Sequence, residues 1–354
     1  MTIHALRCRW EPAGLRVAAF VLAAAAATVL PLATAVVPAT AAVRALPGQT
    51  ATDPGPAGRV WTSWADDPAM GQVVLFGGDQ AYRTTGPDDV IGSTWTWDGT
   101  TWTKQQPTTA PSPRTGAAMV YDTATGQLLL FGGSRHPFTG GGYLGDTWTW
   151  DGTTWTQLHP ATSPPARHNT GLIYDAASNE VILFGGYDGH YLNDTWAWDG
   201  TTWTQLHPAT SPPPRDTHSL VYDPASQTAI LFGGYNGERL SDTWSWDGTT
   251  WTQLSPATSP GTTSAAWQAA YDDASQQLVL YGGDANTRGF SNVTWTWTGT
   301  TWAQLQPAAS AGRRAYGSLT YDPALQRLVM FGGSNQTRDL TSLWEWNGST
   351  WQQP

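Results

Sequence analysis

Five arginines recur at one place in a repeated sequence pattern, each at the start of a segment that usually ends in Tyr-Asp. They are Arg59, Arg114, Arg167, Arg215 and Arg314, and the remaining copy of the pattern has Ser264 at this place. The planar guanidinium group binds carboxylates and sulfates through paired hydrogen bonds. If the repeats form a ring, these side chains form a broken circle of positive charge that could hold an anionic group. Buried ion networks use the same chemistry, so a structural role for these arginines is the alternative.

Aromatic side chains are the second candidate for binding, and they lie in segments that differ from one copy to the next. Tyr143, Tyr191 and Tyr235 are examples. Aromatic rings with arginine and aspartate nearby suit a sugar ring or a loop of a protein partner. Ordinary divergence of loops is the alternative. The same segments also contain Tyr82, Arg83, Arg135, His136, Phe138, Tyr187, His190, Arg239, Arg288, Phe290 and Arg338.

His218, Tyr316 and Asp216 follow the recurring arginines closely and could transfer protons. In this enzymatic interpretation, the arginines hold an acidic sugar while the three side chains act as acid and base. His168 and His218 lie in adjacent copies, but they have no carboxylate partner at a known distance. We therefore predict no metal site, and the sequence has no motif that indicates a cofactor.

The elements that must position these residues are marked by six glycine pairs. The pairs are spaced about 50 residues apart, a period typical of propeller blades. Each pair follows a continuous apolar run such as Val181 to Phe184, which indicates a strand buried on both faces. The pairs are Gly77-Gly78, Gly132-Gly133, Gly185-Gly186, Gly233-Gly234, Gly282-Gly283 and Gly332-Gly333.

Each copy contains four segments suited to strands. The first runs from the arginine and contains small residues, which suits a strand crowded around an axis. The third and fourth are the Trp-x-Trp and Trp-Thr-Gln-Leu segments, and the Asp-Gly between them is a strong hairpin signal. Alternation places both indoles of a segment such as Trp196-Ala197-Trp198 on one face, which predicts layers of tryptophan between blades. The loops between second and third strands should share a face with the Pro-rich connectors.

The copies predict one all-β domain, a ring of six blades of four strands each, at residues 59–354. Residues 1–41 are interpreted as a signal peptide and 42–58 as a linker. The predicted blades are residues 59–102, 114–155, 167–203, 215–251, 264–302 and 314–351.

The combined motifs Arg…Tyr-Asp, Leu-Phe-Gly-Gly, Asp-Thr-Trp-x-Trp and Trp-x-x-Leu resemble kelch repeats, which implies a six-bladed β-propeller of four-stranded antiparallel blades. The chain is similar to the superfamily of the galactose oxidase central domain. In that resemblance the first strand lines the axis and the arginines commonly tie neighbouring blades. Copper-radical oxidation needs a tyrosine cross-linked to cysteine, and Cys8, within the leader, is the only cysteine. We therefore do not expect that activity. The copies are in phase with the blades, so the ring should close without exchange of a strand.

The N-terminal segment favours export. Arg7, Arg9 and Arg16 precede an apolar stretch from Val17 to Val37, and Ala39-Thr40-Ala41 offers a cleavage site. An uncleaved membrane anchor is the minor alternative, since the stretch approaches the length of a membrane span. The formal net charge of −10 disfavours nucleic acid and anionic membranes as partners, and we expect a monomer.

Three functions are compatible with these features. The first is a secreted binding module for a saccharide or an extracellular or surface protein, acting through the loop face and the channel mouth. The second is a carbohydrate-active enzyme with an acidic sugar at that mouth. The third is a structural scaffold of the cell surface without a small ligand.

Overall fold

The computed structural model describes residues 55–80, 89–135, 142–261, 266–285 and 289–354. These residues form 24 strands in six sheets, each of four consecutive strands in antiparallel order. The all-β class and the six four-stranded blades are therefore as the sequence predicts. In this part of the chain no helix is long and apolar enough to cross a membrane.

The strands of the first three blades are as follows. Blade 1 contains β1 (Ser63–Asp67), β2 (Gln72–Phe76), β3 (Thr94–Trp97) and β4 (Trp102–Gln105). Blade 2 contains β5 (Ala118–Asp122), β6 (Gln127–Phe131), β7 (Thr147–Trp150) and β8 (Trp155–Leu158). Blade 3 contains β9 (Gly171–Asp175), β10 (Glu180–Tyr187), β11 (Tyr191–Trp198) and β12 (Trp203–Leu206).

The remaining blades repeat this arrangement. Blade 4 contains β13 (Ser219–Asp223), β14 (Thr228–Tyr235), β15 (Arg239–Trp246) and β16 (Trp251–Leu254). Blade 5 contains β17 (Gln268–Asp272), β18 (Gln277–Tyr281), β19 (Thr294–Trp297) and β20 (Trp302–Leu305). Blade 6 contains β21 (Ser318–Asp322), β22 (Arg327–Phe331), β23 (Leu343–Trp346) and β24 (Trp351–Gln352).

The turn between the third and fourth strands is closed by its aspartate. In blade 2 the Asp151 carboxylate accepts hydrogen bonds from the backbone N–H groups of Thr153 at 2.9 Å and Thr154 at 2.7 Å. Gly152, between Asp151 and Thr153, has a φ of +94°, which a residue with a Cβ rarely adopts. The predicted hairpin is therefore confirmed in this blade.

Tryptophans fill the spaces between blades, as the pattern predicts. The Trp155 ring of blade 2 packs 5.3 Å from the Phe76 ring of blade 1, and its indole nitrogen donates to Thr94 Oγ1 at 2.9 Å. The same indole-to-threonine bond joins four further pairs of adjacent blades, through Trp203 and Thr147, Trp251 and Thr195, Trp302 and Thr243, and Trp351 and Thr294. Each of these five interfaces is thus both apolar and specifically hydrogen-bonded.

The glycine pairs allow neighbouring blades to approach. Gly132 has a φ of +72°, and a Cβ on it would lie 2.5 Å from the carbonyl oxygen of Arg167 in the next blade. The following residue, Gly133, donates its backbone N–H to that same oxygen at 2.8 Å. Only glycine permits this contact, so the pair that marks the repeat also joins the blades.

Blades 6 and 1 close the ring without an exchanged strand. Gly333 N–H donates to the Arg59 carbonyl at 2.9 Å, as the equivalent groups do between other blades. Ser318 Oγ donates to the Thr62 carbonyl at 3.1 Å. Leu343 occupies the position directly before Trp-x-Trp, where the other third strands have threonine, so this interface lacks the tryptophan-to-threonine bond.

Candidate functional site

Three of the recurring arginines are buried in ion pairs inside their own blades. Arg167 donates to both carboxylate oxygens of Asp194, at 2.5 and 2.8 Å, and to the Gly185 carbonyl at 3.1 Å. Its side chain is 0% exposed. Arg114 with Asp146 and Arg215 with Asp242 form the same bidentate arrangement.

The aspartate of each pair is held on its other side by a tryptophan. Trp196 Nε1 donates to Asp194 Oδ2 at 2.7 Å. Burial opposes ionisation of Asp194, but the hydrogen bonds and the charge of Arg167 outweigh it and hold the pKa of this carboxyl below its ordinary value. The carboxylate is therefore ionised at neutral pH.

Among the described residues, Arg59 and Arg314 have no carboxylate partner, because serine stands at the aspartate position of blades 1 and 6. Arg59 bonds the Gly77 carbonyl at 3.1 Å and Ser93 Oγ at 3.3 Å, and Arg314 bonds the Gly332 carbonyl at 3.2 Å and Ser342 Oγ at 3.4 Å. Burial lowers the pKa of both guanidinium groups to about 10, so they remain charged at neutral pH.

The fold thus already engages all five guanidinium groups, and none of the five lines the cavities that follow the axis. This geometry favours the structural alternative. The anion-binding role that the sequence suggests for these arginines stays a prediction. Ser264, the sixth position, lies outside the described residues.

The mouth of the channel is formed by one residue from each blade. It lies two positions after the recurring arginine, or after Ser264 in blade 5. All six have a positive φ, between +49° and +64°, although five are not glycine. We name them the mouth ring: Trp61, Gly116, Asn169, Thr217, Ala266 and Tyr316. Left-handed backbone at non-glycine residues costs about 1 kcal/mol or more each, so the surrounding contacts must impose it.

Backbone hydrogen bonds impose that conformation. Trp61 N–H donates to the Tyr316 carbonyl at 3.0 Å, Gly116 N–H to Trp61 at 2.9 Å, and Asn169 N–H to Gly116 at 2.8 Å. Thr217 N–H continues the series to the Asn169 carbonyl at 3.3 Å. The mouth ring is therefore a continuous chain of hydrogen bonds across five of the six blades.

The mouth ring surrounds a cavity of about 170 Å³, and the opposite walls of this cavity differ in polarity. Trp61 and Tyr316 form an aromatic wall, with ring centroids 4.9 Å apart. Opposite them, Asn169 Nδ2 donates to Asp216 Oδ2 at 3.3 Å. Burial raises the pKa of Asp216 to about 6. Such a pocket combines an apolar surface with a few polar groups, as ligand pockets usually do.

The proposed proton-transfer residues are not assembled as an acid and a base. His218 and Tyr316 both line the mouth cavity, whereas Asp216 does not. Burial, with the charge of Arg215, lowers the pKa of His218 to about 3, so its ring is neutral and weakly basic. Tyr316 Oη instead donates to Asp284 at 2.7 Å, and Asp284 also pairs with Arg239 at 3.2 Å. Asp216 therefore lies outside the lining of the cavity that His218 and Tyr316 share.

Beside the mouth, five aromatic rings pack in a continuous series across blades 2, 3 and 4, four of them half-buried tyrosines and one a buried histidine. We name it the aromatic belt: Tyr143, His168, Tyr187, Tyr191 and Tyr235. Successive ring centroids are 5.3, 5.8, 5.0 and 5.8 Å apart. Burial lowers the pKa of His168 to about 4, so at neutral pH it is an uncharged member of the belt.

Long hairpins in blades 3 and 4 carry most of the belt. The strands β10, β11, β14 and β15 have eight residues each and continue past the glycine pair, with a register shift at it. Tyr187 and Tyr191 are cross-strand partners at the end of one hairpin, and Tyr235 lies opposite Arg239 on the other. The extra residues therefore project the rings on the loop face.

The structure brings together some of the sequence candidates and not others. Tyr143, Tyr191 and Tyr235 share the belt, while Tyr316 and His218 share the mouth cavity. Tyr82, Arg83, His136, Phe138 and Arg288 lie outside the described residues. No pattern in the sequence indicated that Trp61 and Asn169 of the mouth ring border a cavity. Among the described residues, no group of three or more His, Cys, Asp or Glu side chains could hold a metal ion.

Comparison with family models agrees with this geometry. The chain matches the KLHDC2/KLHL20/DRC7 Kelch-repeats domain over residues 61–256 and 199–354, which together span the six blades. A comparison with curated proteins finds no match. Kelch propellers are typical protein-interaction modules. From its motifs, its six blades and this match, the chain belongs to the kelch-repeat family.

Proposed function

We propose that this kelch propeller is an exported binding module that captures a polypeptide segment on its loop face. The observation that carries the proposal is the aromatic belt, an unbroken series of rings over three blades. A single sugar ring covers one or two aromatic side chains, whereas an extended segment can contact the four half-buried tyrosines of the belt. Tyrosine supplies large contact area at low entropic cost, and it is enriched among residues that dominate binding energy.

The mouth cavity adds an anchoring pocket next to the belt. Its Trp61 and Tyr316 wall suits an apolar side chain, and Asn169 is positioned near a polar group that enters with it. Burial, followed by the charge of Asp216, raises the pKa of Tyr191 to about 12. The Tyr191 hydroxyl therefore stays protonated and is available to donate a hydrogen bond to a partner carbonyl.

The net charge of the chain, with two aspartates near the belt, favours a partner with basic side chains. Asp216 lies under the belt, and Asp188 lies at the tip of the blade 3 hairpin. The whole chain has a formal net charge of −10. Acidic surfaces steer basic partners toward them and repel acidic ones.

A saccharide is the second candidate ligand, because an aromatic wall facing an amide is also a platform for a sugar ring. The mouth cavity has the size for one small ring rather than an extended chain. This alternative predicts competition by free sugars, and the polypeptide proposal does not.

The test is selection of peptides from a random displayed library on the purified protein, followed by affinity measurement by fluorescence anisotropy. Tyr191→Ala and Tyr235→Ala should each weaken selected peptides about tenfold. Met70→Ala, an exposed apolar side chain in a strand 1 to strand 2 turn, is the matched control and should leave affinity unchanged. Equal binding by all variants would disprove the belt as the site. Displacement by sugars would favour the saccharide instead.

Export is tested separately by N-terminal sequencing of protein recovered from the culture medium of the native host. A first residue directly after Ala41 would support cleavage of the leader. Recovery of the intact N-terminus in the membrane fraction would instead show that the leader acts as an anchor.

A further inference from the structure

The opposite end of the axis holds a second, larger cavity of about 420 Å³, which the function proposed above does not use. Residues near the ends of the first strands line it. At the position before the strand-ending aspartate, five blades contribute a tyrosine and blade 1 contributes Asp66. We name the five the tyrosine ring: Tyr121, Tyr174, Tyr222, Tyr271 and Tyr321.

The tyrosine ring is positioned by the cores between the blades. Each of the five side chains is partly buried and packs against one of the apolar clusters that hold neighbouring blades together. The rings are therefore fixed by packing on one side and border the cavity on the other. A binding surface built on rigid strands in this way is pre-organised.

The charges around this cavity are of one sign. Burial raises the pKa of each of the five tyrosines, and the charged neighbours that raise it further are aspartates in every case. Asp66 lies in the cavity wall, and Asp273 both lines the cavity and acts on Asp66. Tyr271 Oη is buried without a hydrogen-bond partner among the described residues.

We propose that this cavity binds a small organic ammonium cation, held by the tyrosine ring and the Asp66 carboxylate. Aromatic faces attract cations through the quadrupole of the ring, and a carboxylate in the same site adds a charge of the right sign. The Asp66 and Asp273 carboxylates would repel an anion, and a wholly apolar ligand would cover the half-buried Asp66 carboxylate without compensating its charge. The cavity volume lies within the range of small-ligand sites.

The test is isothermal titration calorimetry of the full protein with choline and with 3,3-dimethylbutan-1-ol, its neutral isostere. Choline should bind saturably, and the alcohol should bind at least about tenfold more weakly because it lacks the charge. Equal affinity for the two compounds, or no saturable binding of choline, would overturn the proposal. A peptide that carries trimethyl-lysine is the third ligand, and tighter binding of it would identify the cation as a side chain of a partner.

Variants separate the contribution of the aromatic rings to choline binding from that of the Asp66 carboxylate. Tyr321→Leu should weaken choline about threefold to tenfold, whereas Tyr321→Phe, which keeps the aromatic face, should stay within about twofold. Asp66→Asn should weaken it about tenfold. Glu238→Gln removes a carboxylate from the loop face and is the control. Equal loss in the leucine and phenylalanine variants would contradict a cation-π contact.

Acidification gives an independent readout. Burial, followed by the effect of Asp273 and Asp67, raises the pKa of Asp66 to about 6. The other titratable groups that act on it are the Asp67 and Asp273 carboxyls, whose pKa burial also raises, and the hydroxyls of Tyr121 and Tyr321, whose raised pKa keeps them neutral. Choline affinity should therefore fall as pH decreases through 6 in the wild type and not in Asp66→Asn. The same decline in both proteins would refute the role of Asp66.

Discussion

Replacement of Asp194 by serine should destabilise the propeller by about 3 kcal/mol, because it leaves a buried guanidinium without its carboxylate. Breaking a buried ion pair by removing one partner costs about 3–5 kcal/mol. Asp194 is 19% exposed, and Arg167 keeps its bonds to the Gly185 and Pro165 carbonyls, which places the loss at the lower end. Urea unfolding followed by tryptophan fluorescence measures the change, and Glu238→Gln is the control for loss of a surface charge.

Blade 6 offers the reverse experiment. Ser342 occupies the aspartate position, and both Arg314 Nε and Trp344 Nε1 are buried without a hydrogen-bond partner among the described residues. Ser342→Asp should therefore stabilise the protein by about 1–2 kcal/mol, the gain of charge-assisted bonds less the cost of burying the carboxylate. A loss below about 1 kcal/mol in Asp194→Ser, together with destabilisation by Ser342→Asp, would refute the reasoning.

The pH dependence of the first variant has a definite sign. The pKa of Asp194 is lowered in the folded protein, because the bonds and charge of Arg167 outweigh burial. Its contribution is therefore present above the unfolded pKa of about 3.9 and is lost as pH falls through the lower folded value. The stability difference between wild type and Asp194→Ser should shrink in that acidic range. A difference that stays constant would contradict the ionised pair.

Two further predictions concern contacts between blades, measured by the same unfolding assay. Gly132→Ala should cost about 3 kcal/mol or more, because its Cβ would lie 2.5 Å from the Arg167 carbonyl in addition to the strain of a positive φ. Thr147→Val should cost about 1–3 kcal/mol, because it leaves the buried indole N–H of Trp203 without an acceptor.

Each has a matched control in the same chain. Gly71 has a φ of +61°, and a Cβ on it would meet no described atom within 4 Å, so Gly71→Ala measures the backbone strain alone. Thr156 is an exposed threonine of an outer strand, and Thr156→Val should be nearly neutral. If either control costs as much as its partner variant, the contact between blades is not the cause.

The fold could be predicted because its determinants are local and repeated: the glycine pair and Trp-x-Trp recur in all six copies and Asp-Gly in four. The glycine pair, Trp-x-Trp and Asp-Gly each define a strand or turn within a few residues, and Asp151 shows the turn closing as expected. The role of the arginines was harder, since Arg167 and Asp194 are 27 residues apart. One signal was present: the copy with Ser264 in place of arginine also has Val293 in place of aspartate.

The mouth ring shows which structural features a local sequence pattern does not predict. Trp61 and Tyr316 adopt left-handed backbone that their own side chains disfavour, because hydrogen bonds from adjacent blades impose it. Tyr191 and Tyr235 could be assigned to variable loops by spacing. That His168 of an inner strand joins them depends on how the blades pack, which no local pattern contains.

The interface between blades 6 and 1 is the place at which we expect the ring to open first. It has Leu343 in place of the hydrogen-bonding threonine, and in the part of the chain that the structure describes the arginines on both sides of it, Arg59 and Arg314, lack carboxylate partners. The first strands of the last and the first blade, β21 and β1, also meet there. A closed ring has no terminal repeat, so once this interface separates, the remaining five hold the blades as an open arc. We therefore expect global unfolding to begin at the interface between blades 6 and 1 rather than at random among the six interfaces.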